Sequence, residues 1–164
     1  MDGVSFFVPG TPAPKGSMKA FAMRAKDGRV MARVTHDNKR TKPWSTAVAY
    51  AAQEAMRGRE LFRDTPLVVA ITFALSRPSA HSGKRGLKPS APRWPQTRPD
   101  LDKLTRAACD ALQGIVFDED SRIVMVAVAK IYAAPVGAAI RVSTALEIMA
   151  SEFEQAYALR VARP

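Results

Sequence analysis

The sequence has little cysteine and no long apolar run. Cys109 is the one cysteine among 164 residues, so neither an internal disulfide nor a zinc site built on paired cysteines can form. No apolar stretch approaches the roughly 20 residues that a membrane-spanning helix needs. The N-terminus lacks the basic region and the long apolar stretch of a signal peptide. We therefore expect a cytoplasmic protein without a membrane partner.

Acidic residues are scarce where basic residues concentrate. The chain has 25 Lys and Arg against 15 Asp and Glu, for a formal net charge of +10. Residues 15–42 contain nine basic and two acidic residues, and residues 76–99 contain six basic residues and no acid. Solubility alone would not gather the surplus into two loop-like segments, so we predict that both contact nucleic-acid phosphates. The candidate DNA-binding residues are Lys15, Lys19, Arg24, Arg33, Lys84, Arg85, Lys88, Arg93, Arg98 and Lys103.

The pattern of apolar residues predicts a single α/β (α+β) domain over residues 1–164, with a mixed β-sheet packed against helices. The predicted elements are a strand over 4–8, a hairpin of 21–24 and 29–35, a helix over 44–57 ended by Gly58, a central strand over 67–75 covered on both faces, a helix from 101 to Gly114, strands over 122–132 and 138–148 joined as a hairpin, and a helix over 151–160.

Residues 76–99 contain too many prolines, glycines and cations for a regular element. A loop of this length in a compact domain is either functional or disordered. Its tryptophan, Trp94, has two possible roles: stacking on nucleobases among the surrounding cations, or anchoring the loop to the body of the protein.

Six of the 15 acidic residues fall between positions 100 and 120. Asp100 and Asp102 lie at the predicted start of a helix, where carboxylates also serve as caps, a role that explains one of them better than both. Residues two apart diverge on a helix but share one side of an extended segment, so both can bind one ion only if Asp100 lies at or before the cap. With the acidic turn 118–120 and the adjoining cations, the pair predicts metal-assisted phosphodiester cleavage using Mg²⁺, or Mn²⁺ in its place.

Arg106 follows Asp102 by four residues, so the two share a helix face. Two roles are open for this arginine. It can form an ion pair with Asp102, or it can hold the scissile phosphate and stabilise the charge that develops there.

Several segments together resemble the RusA family of Holliday junction resolvases. They are 98–107 (Arg-Pro-Asp-Leu-Asp-Lys-Leu-Thr-Arg-Ala), 110–116 (Asp-Ala-Leu-Gln-Gly-Ile-Val), 118–123 (Asp-Glu-Asp-Ser-Arg-Ile) and the opening 6–16 (Phe-Phe-Val-Pro-Gly-Thr-Pro-Ala-Pro-Lys-Gly). The resemblance implies a RusA-like fold and a homodimeric, Mg²⁺-dependent endonuclease that binds four-way DNA junctions and nicks symmetric strands. It also implies a bacterial or phage-infected bacterial cell.

The resemblance assigns the catalytic and metal-binding aspartates to Asp100, Asp102 and Asp120. The family's catalytic lysine corresponds to Arg106, and an asparagine after the second aspartate corresponds to Lys103. Arginine keeps the positive charge but does not exchange a proton near neutral pH. Two alternatives stay open: a nuclease for other branched DNA such as forks and flaps, and a non-catalytic basic DNA-binding protein of the same fold.

Overall fold

A four-stranded mixed sheet with two helices forms the body of the protein. The computed structural model describes residues 3–16, 18–24, 30–36 and 39–145, with side chains for 3–16 and 39–145. The elements are β1 (Gly3–Pro9), β2 (Met18–Arg24), β3 (Val30–His36), α1 (Thr41–Ala55), β4 (Leu67–Leu75), β5 (Ser82–Gly83), β6 (Gly86–Leu87), α2 (Leu101–Leu112), β7 (Ile123–Tyr132) and β8 (Gly137–Thr144). This is the predicted α+β class.

The strand order of the main sheet is β1-β8-β4-β7, with β4 parallel to β7 and antiparallel to β8. The predicted hairpin between the last two strands is therefore wrong, because β4 lies between them. The link 133–136 passes the end of β4, where the Ala133 N–H donates to the Leu75 carbonyl at 3.2 Å. Since β4 is the most apolar strand, it takes an interior place with hydrogen-bonded neighbours on both sides.

The core lies between the sheet and both helices. Trp44, Val48 and Ala52 of α1 and Leu104, Ala108 and Leu112 of α2 belong to one buried cluster with the side chains of β4 and β8. The predicted bounds and central position of β4 are confirmed. Its predicted burial on both faces is also supported. Helices α1 and α2 pack on the face of Val69, Ile71 and Phe73, and on the other face Val68 and Ala74 are only 6% and 7% exposed.

The ends of the helices follow local chemistry. Helix α1 begins at Thr41, three residues before the predicted start, because Pro43 is tolerated in a first turn whose N–H groups have no helical acceptor. Gly58 follows α1 with a φ of +73° and Gly114 follows α2 with a φ of +75°. Glycine adopts this left-handed conformation without the steric cost that other residues meet, so it ends helices well.

Strands β2 and β3 form the predicted antiparallel hairpin, with Lys19 opposite Thr35 and Arg33 opposite Phe21. The turn 25–29 lies outside the described residues. The sequence predicts no regular structure in the loop 76–99, but this loop contains a 3-10 turn at Ser79–His81 and the small β5–β6 hairpin. Residues 146–164, which include the end of the last predicted strand and the predicted helix 151–160, also lie outside the description. Among the helices described, none has the length and apolarity to cross a membrane.

Candidate active site

Asp100 and Asp102 lie at the start of α2. Asp100 is the residue before the first helical residue and has an extended backbone, with φ −71° and ψ 135°. The geometric condition for two carboxylates to reach one ion is therefore met. The Asp100 side chain makes no capping hydrogen bond, so the capping role that competed with metal binding is not observed.

Lys103 holds the Asp100 carboxylate from the next turn of the helix. Its Nζ lies 2.9 Å from Asp100 Oδ2. The hydrogen bond and the positive charge of Lys103, with smaller contributions from Arg98 and Lys130, lower the pKa of Asp100 below its ordinary value despite partial burial. Asp100 is therefore anionic at neutral pH, the state that a divalent cation requires.

Lys130 fixes the segment that leads into Asp100. It lies on β7 beside the buried Phe73 of β4, and its Nζ donates to the carbonyls of Thr97 at 2.7 Å and Pro99 at 2.9 Å. This lysine is not among the residues predicted from the sequence. A signal was present, since Lys130 is the one charged residue in the otherwise apolar strand 123–132.

Asp102 and Arg106 are both exposed on one face of α2. No ion pair joins them, and within the described part of the chain neither pairs with any other side chain. The ion-pair role considered for Arg106 is therefore not observed, and its guanidinium is open to an external anion.

Asp120 lies in the turn that follows α2 in the chain. It begins a 3-10 turn, Asp120–Arg122, that leads into β7. Burial first, and then the negative charges of Asp110 and Asp120, raise the pKa of Cys109 to about 11. The negative charge of Asp120 therefore acts on Cys109, which follows Asp102 by seven residues on one helix face.

The other acids of this turn are engaged in local pairs. Arg122 donates to Asp64 at 2.9 Å and to Asp118 at 3.3 Å, and the Glu119 N–H donates to Asp118 at 2.9 Å. Partial burial raises the pKa of Asp118, but the hydrogen bonds from Arg122 and Glu119 outweigh it and leave that pKa lowered. Asp118 therefore stabilises the turn that presents Asp120.

Among the residues that the structure describes, no three acidic, His or Cys side chains converge as a metal-binding cluster. Mg²⁺ does not require such a cage. It is usually held by one or two carboxylates, with waters and substrate phosphate oxygens completing the octahedron. The half-buried Asp100 and the exposed Asp102 fit an open site of this kind.

A groove of about 830 Å³ opens beside Asp100. Its walls come from the loop 11–16, the segment 95–99 and Tyr132, and its cations are Lys15, Arg40, Arg98 and Lys103. A negatively charged strand lying in this groove would meet positive charge along the wall and carboxylates at the helix start. This is the arrangement expected where DNA backbone is bound next to a metal.

The sequence model of the family described as endodeoxyribonuclease RusA matches residues 9–143. The match covers most of the chain, including the groove, α2 and the acidic turn. The chain belongs to the RusA family. Membership identifies it as an endodeoxyribonuclease, and it confirms the resemblance inferred from the sequence. No curated protein matches the chain.

In this RusA family member, Lys15 lines the groove and also has a structural role. Its Nζ forms an ion pair with Asp110, and its N–H donates to the Lys103 carbonyl at 3.0 Å. Thr41 of α1 donates to the Pro14 carbonyl at 2.7 Å. The loop 11–16 is therefore clamped between the two helices. Its lysine is partly neutralised, so it contributes less to phosphate binding than an unpaired cation.

The remaining predicted DNA-binding residues divide into three groups. Lys84 and Arg85 are exposed at the tip of the β5–β6 hairpin, and Arg98 is exposed at the groove. Lys88 donates to the Ala80 carbonyl at 2.8 Å, and Arg93 lies over Trp94. The side chains of Lys19, Arg24 and Arg33 are outside what the structure describes.

Proposed function

We propose that the protein is a Mg²⁺-dependent, structure-selective endonuclease that resolves four-way DNA junctions by symmetric nicking. One observation carries the proposal: in a chain of the RusA family, Asp100 lines a groove with the cations Lys15, Arg40, Arg98 and Lys103, and Asp102 follows it in the first turn of α2. Four-way junctions are favoured over forks and flaps because the family implies them.

Asp100 and Asp102 would hold the cation, and Asp120, in the turn after α2, is the third carboxylate that the family resemblance assigns to the site. When bound, Mg²⁺ activates a water and offsets charge on the leaving oxygen. Lys103 keeps the Asp100 carboxylate ionised and oriented, while Lys130 holds the backbone immediately before it. This support keeps the carboxylates in place for metal and substrate.

Arg106 is proposed to contact the scissile phosphate. It is exposed beside Asp102, and its guanidinium presents several donors in one plane, which suits phosphate oxygens. An arginine stays protonated throughout the ordinary pH range, so it stabilises negative charge without transferring a proton. Any proton transfer in the reaction therefore uses a group other than Arg106.

Symmetric nicking requires two active sites on one junction, and we propose that a homodimer supplies them. Light scattering of the protein on a junction should give two chains per DNA, and one chain per DNA would contradict symmetric nicking. The proposed setting is the cytoplasm of a bacterial or phage-infected bacterial cell, where branched DNA intermediates arise.

The test is cleavage of a synthetic four-way junction during Mg²⁺ titration, with forks, flaps and linear duplex as competing substrates. Loss of supporting residues around a metal typically costs 10–100-fold, so removing a ligand through Asp102→Asn should reduce cleavage by at least about 100-fold while DNA binding persists. Glu54→Gln is the matched control, because Glu54 is exposed on α1 and pairs with Arg57. Full activity of Asp102→Asn would refute the metal assignment, and junction binding without any cleavage would favour a non-catalytic binder.

A further inference from the structure

The Trp94 side chain faces solvent, while the backbone on both sides of it is fixed to the body of the protein. Its side chain is 51% exposed, although tryptophan is usually well buried. On one flank, Arg77 donates to the Pro92 carbonyl at 2.8 Å and lies 4.2 Å from the ring centroid of Tyr132 on β7. On the other flank, Pro95 is buried at the groove wall. Its neighbours, rather than the indole ring, attach this part of the loop to the body.

The surroundings of Trp94 are suited to an anion that carries an aromatic group. The Arg93 guanidinium lies 5.5 Å from the Trp94 ring centroid, a cation–π contact. The whole segment 76–99 contains six basic residues and no acid. Cations beside an exposed aromatic ring are the combination with which proteins bind unpaired nucleotides, through phosphate attraction and stacking on the base.

We propose that Trp94, with Arg93, forms a stacking platform for an unpaired nucleobase of the DNA substrate. This inference rests on the proposed function and extends it to how branched DNA is distinguished from linear duplex. Bases inside a continuous duplex are stacked on both sides and offer no free face. A base at a branch point or bulge has a free face. Because the backbone around Trp94 is already fixed, the indole can stack on that face without the entropic cost of ordering a flexible loop.

The two tryptophans of the chain make the contact measurable. Trp44 is 3% exposed in the core, so added DNA can quench the emission of Trp94 directly but not that of Trp44. Binding is measured in EDTA, which prevents cleavage, with three DNAs: a four-way junction, a linear duplex and the same duplex with one unpaired base. The variants are Trp94→Ala, Trp94→Phe and Tyr50→Ala, the last removing an aromatic side chain that is 66% exposed on α1.

Trp94→Ala should weaken binding to the junction and to the unpaired-base duplex by about 10-fold, within the range for loss of base–aromatic stacking. Binding to linear duplex should change by less than about 2-fold, and Trp94→Phe should retain most of the affinity because a ring remains. Equal loss on all three DNAs, no loss on any, or the same loss for Tyr50→Ala would overturn the platform.

Junction cleavage by the wild type in Mg²⁺ is measured in parallel. Quenching and a selective Trp94→Ala defect without cleavage would support the platform and refute the proposed nuclease. Junction cleavage by the wild type without a selective Trp94→Ala binding defect would support the nuclease and refute the platform.

Discussion

At the scale of residues, neighbouring side chains shift the pKa values of Asp100 and Cys109 in opposite directions. Asp100 and Asp102 are two residues apart, yet Lys103 holds the first while the second has no ion-pair partner in the described part of the chain. Arg106 and Cys109 continue the same helix face with opposite properties. The arginine is exposed, and the thiol is partly buried beside two carboxylates.

Substitutions of Arg106 test whether its positive charge contributes to the cleavage rate. Arg106→Met should reduce the cleavage rate by about 100-fold with little loss of junction affinity, since a contact that strengthens in the transition state affects turnover. Arg106→Lys should keep a substantial part of the rate. Single-turnover cleavage and binding measured separately provide the check, and a Met variant as fast as the wild type would contradict the role.

Cys109 should be unreactive at neutral pH. Because its pKa is raised to about 11, roughly one thiol in a thousand is ionised at pH 8 in the folded protein. Iodoacetamide labelling, followed by mass spectrometry, should be slow until pH 10 and fast in urea, where the pKa returns to about 8.5. Between these pKa values the unfolded chain releases the proton that the folded chain keeps, so stability should fall as pH rises. Equal labelling rates with and without urea would contradict the prediction.

At the scale of elements, the start of α2 is held from two sides. Lys130 reaches it from β7, and the loop 11–16 is clamped to it through Lys15. The backbones are also close together where β8 begins, because Gly137 lies directly opposite Pro9 of β1. The site therefore depends on close backbone packing around it.

Gly137→Ala should destabilise the protein by about 1–3 kcal/mol, the usual cost of overpacking. A Cβ at this position would lie 2.3 Å from the Val8 carbonyl oxygen and 2.5 Å from Phe7 Cζ. Gly83→Ala is the control, since its nearest contact would be Lys88 Cε at 3.7 Å. Urea unfolding compares the two variants, and coinciding midpoints would contradict the close contact.

At the scale of the whole molecule, the net charge of +10 combines basic segments with a local acidic cluster. The cations line a groove and a hairpin tip, while the carboxylates are at the start of α2 and in the turn before β7. Positive charge is thus concentrated in the groove and at the hairpin tip, while negative charge is concentrated near the two ends of α2.

Replacing both Lys84 and Arg85 by Gln should weaken linear duplex and junction alike. Removing one cation that binds a phosphate reduces the slope of log K against log salt by about one, so the slope should fall by about two. Salt titrations of both DNAs give the slopes. An unchanged slope would show that the hairpin tip does not touch the backbone, and a junction-only effect would contradict a purely electrostatic role.

The features predictable from the sequence are local ones. The bounds of β4 follow from a nine-residue apolar run, and the ends of α2 follow from Asp100 and Gly114. The spacing of the aspartates and the two basic segments can also be identified from the sequence alone. Each of these depends on residues within a few positions of one another, where backbone geometry and side-chain chemistry act directly.

Only the tertiary structure decided which distant residues meet. It placed β4 between β7 and β8, paired Lys15 with Asp110 across 95 positions, and brought Lys130 to the start of α2. A local pattern predicts a strand but not the strand that pairs with it. It also identifies a basic residue but not the acidic residue with which that residue forms an ion pair. Placing the most apolar strand inside the sheet gives it hydrogen-bonded neighbours on both sides, and it brings together elements that are distant in the sequence.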